Sequence, residues 1–160
     1  MTEHHTAPTT REAGGSREGL SALLVREDGT HEALTLPAEG SARVTEMQRL
    51  VGGSFDCVGL DERTDMWVND DGLFTCEPNP IASRLAAAHG FDLQRYHGPA
   101  LFTGGIDAHG DTLGLRPEDL DLLGAMADAA AARGELWEDT QDGHRFLEIY
   151  RRRAAHQPGA

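Results

Sequence analysis

The sequence predicts an α+β domain: an antiparallel sheet made from hairpins, with two or three helices packed on it. Three observations carry this. Short apolar runs are separated by turn signals such as Asp28-Gly29 and Asn69-Asp70-Asp71-Gly72. Helix-spaced apolar residues follow recognisable start signals, and the elements order as ββα, βββ, α, β, α, which favours hairpins over repeated crossover units. Every Leu, Ile, Val and Phe lies between Leu20 and Ile149.

In chain order, residues 1–19 are polar and aperiodic and read as a disordered tail, and 20–153 as one domain followed by a tail at 154–160. Ala22–Arg26 and His31–Leu36 flank Glu27-Asp28-Gly29-Thr30, where Asp-Gly suits the positive φ angles of a two-residue hairpin turn. Val44, Met47, Leu50 and Val51 then recur at helical spacing, with Ser41 as N-cap and Gly52-Gly53 as the stop. Phe55–Leu60 and Met66–Asn69 read as strands joined by a polar loop, and the next turn leads into a short run, Leu73–Thr75, read as another strand. Asn79-Pro80 opens a helix striped by Ile81, Leu85 and Ala88 and ended by Gly90. Asn caps the free N–H groups, and Pro at the first position has no N–H to lose. Pro99–Thr103 is a short strand before a glycine-rich loop, and Pro117 opens a helix with Leu120, Leu123, Ala127 and Ala130 on one face, closed by Gly134. Residues 144–153 fit either a helix or a strand.

Composition sets the bounds on chemistry. Leu, Ile, Val and Phe make up 31 of 160 residues and the net charge is -13, a profile close to that of disordered chains. Removing the tails enriches the remainder enough for a packed core. All 14 basic residues are Arg, so a Walker A loop, a Schiff-base lysine and a Ser-Lys pair are excluded. An acidic surface repels phosphates, which argues against direct binding to nucleic acid. The N-terminal residues have no apolar stretch of the secretory kind and no run is long enough to span a membrane, so a cytoplasmic location is expected. Cys57 and Cys76 lack metal spacing and are expected as reduced thiols buried in strands.

Four ordered motifs add a resemblance. Met47-Gln48-Arg49-Leu50-Val51-Gly52-Gly53, Met66-Trp67-Val68-Asn69-Asp70-Asp71-Gly72-Leu73, Pro78-Asn79-Pro80-Ile81-Ala82 and Gly98-Pro99-Ala100-Leu101 resemble an uncharacterised domain family of actinobacterial genomes, phages and conjugative elements. The resemblance covers about residues 21–116 and leaves out the helix that starts at Pro117. It implies an accessory protein of mobile elements, some of which meet host defences, and supplies no catalytic residue.

The residues offer three constellations. The first is charge: Asp56, Asp61, Glu62, Asp65, Asp70, Asp71 and Glu77 face only Arg63 between positions 56 and 77. Such a surface suits a basic groove and, strung along one face, would imitate the phosphates of DNA; the plainer reading is solubility. The second is Asn69, Asp71 and Asn79, whose amides would read a nucleotide or another polar ligand, or else simply form a turn and a helix cap. The third, Asp107, His109 and Asp111, has the donor types for a metal-assisted hydrolase but also suits an ordinary surface turn. Trp67 is read as core. The leading expectation is a non-catalytic interaction protein that engages a basic host protein, with no cofactor, no metal site and no membrane contact.

Overall fold

The computed structural model describes residues 19–92 and 94–132. Residues 1–18, Gly134, the segment 144–153 and the tail at 154–160 lie outside the described residues, as does the end of the expected domain.

The first hairpin forms as expected: β1 (Leu20–Val25) pairs with β2 (His31–Leu36), from Leu20↔Leu36 to Val25↔His31. Its turn is longer than two residues. Arg26 N–H donates to Thr30 O at 2.9 Å, and of the turn residues only Gly29 has positive φ. Asp28 instead accepts from the Thr30 backbone and hydroxyl at 2.9 and 2.6 Å, which closes a three-residue loop with glycine in the left-handed position.

Helix α1 (Gly40–Val51) ends at Gly52 (φ 84°) as expected, but its cap is Glu39 rather than Ser41. The Glu39 carboxylate accepts the backbone N–H groups of Ala42 and Ser41 at 2.7 and 2.9 Å. These bonds, Ala42 first, lower its pKa. Strand β3 (Phe55–Asp61) pairs with β4 (Thr64–Asn69), with an irregularity between Gly59 and Asp61. The run 73–75 is not a strand but part of a single-turn helix, α2 (Gly72–Thr75). No neighbouring strand reaches it, so its backbone closes on itself: Asp71 O accepts from Thr75 N–H at 3.1 Å and from Thr75 Oγ1 at 3.0 Å. Helix α3 (Pro80–Ala88), strand β5 (Ala100–Thr103) and helix α4 (Pro117–Ala131) complete the fold.

The five strands stand in the order β2-β1-β5-β4-β3, and each neighbouring pair is antiparallel. Because side chains alternate across a strand, the sheet has two apolar faces. On one, Leu23, Val25, Met66, Val68 and Phe102 pack against α3 and α4, where Ala82, Ala86 and Ala127 let the helices approach closely. On the other, Ala22, Leu24, Leu36 and Leu101 pack against Met47 and Val51 of α1. Trp67 is partly buried and packs against this second core, its ring edge-on to Phe55 with centroids 5.3 Å apart. Burying each large side chain contributes about 1.5–3 kcal/mol, so both faces are needed to offset the chain entropy of folding.

The cysteines follow expectation as free thiols but not as buried strand residues. Cys57 lies on β3 but is exposed, because β3 is an edge strand; Cys76 lies beyond α2 and is half-buried. Both are free thiols. Among the described residues, no helix is long and apolar enough to cross a membrane.

Candidate functional site

The β3–β4 hairpin distributes the acidic residues of 56–77 between its two ends. Asp61, Glu62 and Asp65 lie at its turn, while Asp70, Asp71 and Glu77 lie beyond the other end of β4. At about 3.3 Å per residue, the six residues of β4 separate the groups by roughly 20 Å. Asp56 is paired with Val68 and so faces the α3 and α4 side, whereas Asp65, paired with Gly59 and Thr103, faces the α1 side. All seven are exposed except Asp65, so they form no single phosphate-like track.

The end beyond β4 is a corner built on short backbone contacts. Asn69 leaves the strand with Nδ2 donating to Val51 O at 3.1 Å and Oδ1 accepting from Asp71 N–H at 2.8 Å. Asp70 N–H donates to Ser54 O at 3.0 Å. Gly72 is buried against the strap that precedes β5: a Cβ there would stand 2.7 Å from His97 O. With Gly72 pressed inward, the rest of the helical turn faces water. Leu73 is 66% exposed and Phe74 85%. The exposed carboxylates Asp70, Asp71 and Glu77 flank this pair in the chain.

Asn79 anchors the same corner from below and is 0% exposed. Its Nδ2 donates to Val25 O at 3.0 Å and Gly98 O at 2.8 Å, and its Oδ1 accepts from Ala82 N–H at 3.0 Å. Both of its amide hydrogens are thus used inside the protein. Asn69 and Asn79 serve as turn and cap, and Asp71 is exposed beside α2, so the three do not converge on a common cavity.

The turn end is different. Asp61 Oδ1 accepts from Arg63 N–H at 2.8 Å, and its Oδ2 lies 3.5 Å from His89 Nε2. Arg63 reaches across to Asp119 on α4, with contacts of 2.5 and 3.2 Å. Asp119, buried at the first turn of its helix, therefore has a counter-ion as well as the favourable field of the helix N-terminus. Asp65 has neither. It is 9% exposed, and burial, followed by the nearby Asp61 carboxylate, raises its pKa. Although Cys57 is an exposed residue overall, its sulfur is partly shielded from water, and this desolvation, followed by the Asp65 charge, pushes the thiol up to about 11, which keeps it protonated and a poor nucleophile at neutral pH.

In the glycine-rich loop, Asp107 Oδ1 accepts the backbone N–H groups of His109 and Asp111 at 2.8 and 3.0 Å. These bonds, Asp111 first, lower its pKa and close the loop as a turn. His109 and Asp111 are exposed, and among the described residues no three His, Cys, Asp or Glu side chains are placed to hold one metal ion.

Reading the sequence misses two features of this region. The Leu73-Phe74 pair is hidden by its reading as a strand; the signal was Asp71-Gly72 directly before it, which also starts a helical turn. The burial of Asp65 is missed because the strand read at Met66–Asn69 begins one residue too late to include it.

Fold and corner together define a class: an antiparallel α+β domain with an acidic corner tipped by two exposed apolar side chains. Within that class the chain belongs to the DUF3846 family, a domain of unknown function, which it matches over residues 20–128. The match runs into α4, past the limit near 116 set by the four motifs. No curated protein and no solved structure matches the chain.

Proposed function

We propose that this is a non-catalytic interaction domain that binds a basic protein surface through the corner 70–77. One observation carries the reading: Leu73 and Phe74 stand side by side in water on a turn whose backbone is held in place. Adjacent large apolar side chains with a charged surround have the make-up of an interface centre and its rim. The partner then has an apolar pocket edged by Arg or Lys, which accepts Phe74 while its cations meet Asp70, Asp71 and Glu77. Charge gives such an encounter speed and selectivity, and the desolvated aromatic ring gives it affinity. On this reading, which leans on the resemblance to mobile-element proteins, the partner is a protein of the host cell. The placement of the carboxylates supports a local contact at one corner more than an extended imitation of duplex DNA.

Crosslinking tests this. With benzoylphenylalanine in place of Phe74, the chain forms an adduct with one basic protein of the host extract at about 50 mM salt. At about 500 mM the adduct falls several-fold, since exposed charges are screened within a few ångströms there. Replacing Asp70, Asp71 and Glu77 with Asn, Asn and Gln lowers the yield in the same way. No adduct, or one indifferent to salt and to these replacements, overturns the proposal.

A further inference from the structure

The turn between β1 and β2 meets the start of α3 and the end of α4. A Cβ on Gly29 would lie 3.9 Å from both Ala131 Cβ and Ile81 Cγ1. At this junction is a cavity of about 140 Å³ whose apolar walls are Pro80, Ile81, Ala130 and Ala131. That is well below the roughly 300 Å³ of a typical small-molecule site and close to the ~150 Å³ that holds one benzene ring. The cavity suits a single aromatic side chain. Its polar lining is Glu27, Asp28 and Arg84. Asp28 already accepts from Thr30, and Arg84 Nη1 donates to Ala130 O at 3.3 Å, which leaves half-buried Glu27 to receive a new donor. The last turn of α4 carries no basic residue, so the negative end of its dipole adds to the two acids.

The chain itself holds a segment of matching make-up. Within 145–153, Arg145, Arg151, Arg152 and Arg153 face a single acid, Glu148, and no other stretch of that length is as basic. Tyr150 stands directly before three of these arginines. The described residues end at Ala132, next to the cavity wall, and residues 133–149 give ample length to return to it. Closing such a loop costs little more than closing a shorter one, and the tether keeps the segment at an effective concentration on the order of millimolar. We infer that residues 145–153 dock back onto the domain, with the Tyr150 ring in this cavity and Arg151, Arg152 and Arg153 against its acids and the end of α4. Tyrosine joins an apolar ring to a polar tip, which matches aliphatic walls with Glu27 beside them. The Arg84 guanidinium offers the ring a cation–π contact. A second copy of the chain is a poorer occupant, because two molecules of net charge -13 repel each other.

The test uses the full chain with labelled Ile and Ala methyl groups and reads NMR contacts (NOEs) from the Tyr150 ring to the Ile81 and Ala131 methyls. The contacts are expected in the native chain and disappear in Tyr150→Ser, whereas those of Tyr96, the other tyrosine, stay. Replacing Arg151, Arg152 and Arg153 with Gln weakens them several-fold, and so does about 500 mM salt, which screens exposed charges. Ala131→Trp, at an exposed helix position, fills the cavity and abolishes them. A mixture of chains labelled only in the methyls with chains labelled only in Tyr shows none, since the contact lies within one molecule. Absence of the contacts in the native chain, their persistence in the Ala131→Trp chain, or contacts between differently labelled chains overturns the inference. The Trp67 indole signal at its native position confirms that each variant is folded.

Discussion

The two ends of the β3–β4 hairpin carry the same kind of charge and treat it in opposite ways. Beyond β4 the carboxylates of Asp70, Asp71 and Glu77 are in water, and the backbone beneath them is pinned by Asn69, Gly72 and Asn79. At the turn end the strand register is irregular between Gly59 and Asp61, and one acid, Asp65, is 9% exposed and has no counter-ion among the described residues. The difference teaches that charge density along a sequence says little by itself. At one end the support is rigid and the acids stay in water, whereas at the other the sheet covers most of one acid and disfavours its charge.

Substitution at each end should bring out the contrast. The largest effect belongs to Asn79→Ala. It strands the carbonyls of Val25 and Gly98 and uncaps α3, with an expected loss of about 3 kcal/mol in urea unfolding, from buried acceptors left unsatisfied and a lost cap. Gly72→Ala follows, at about 1–3 kcal/mol, because its Cβ would meet the His97 carbonyl and one of the two segments must move. A Gly72→Ala chain of native stability would mean that the corner is not tightly supported.

At the other end the sign reverses. Burial and Asp61 place the folded-state pKa of Asp65 above its unfolded value, so this group binds protons more readily in the folded protein. Its ionisation therefore costs stability above the folded pKa, and that cost vanishes as pH falls below the unfolded value. Asp65→Asn is expected to stabilise the chain at pH 7, with the urea midpoints of the two proteins converging towards about pH 3. A variant less stable than the native chain at pH 7 would show that the carboxylate has a favourable partner in the free protein. The smallest effect is that of Gly59→Ala: an added Cβ makes an ordinary 3.6 Å contact with Asp65 Oδ1, and the midpoint should hardly move. The two glycines thus differ in what lies above them, a fixed carbonyl for one and the end of a side chain for the other.

Much of this architecture was legible along the chain. Asn79-Pro80 announced a capped helix, and Gly52-Gly53 announced the end of another, since the chemistry of caps is local and needs only the backbone next to it. The first hairpin was legible for the same reason, although the length of its turn was not. Where tertiary contacts decide, the reading failed. Leu73–Thr75 has the apolar content of a strand, but a strand requires a neighbour, and the sheet ends before reaching it. Ser41 is a good cap residue, yet the longer Glu39 carboxylate covers the two free N–H groups first.

By itself, the sequence determined the α+β class, the order of most elements, the acidic surface and the chemistries that a chain without Lys cannot perform, because these follow from local turn signals, periodicity and composition. Only the tertiary structure decided that β5 enters the sheet between β1 and β4, that Asn69 and Asn79 are consumed by the backbone, and that Asp65 alone among the clustered acids is buried. Those outcomes depend on which residues stand opposite one another across strands distant in sequence. A carboxylate beside Gly59 and Thr103 differs physically from the same carboxylate in a loop, and nothing adjacent to it in the chain records that difference.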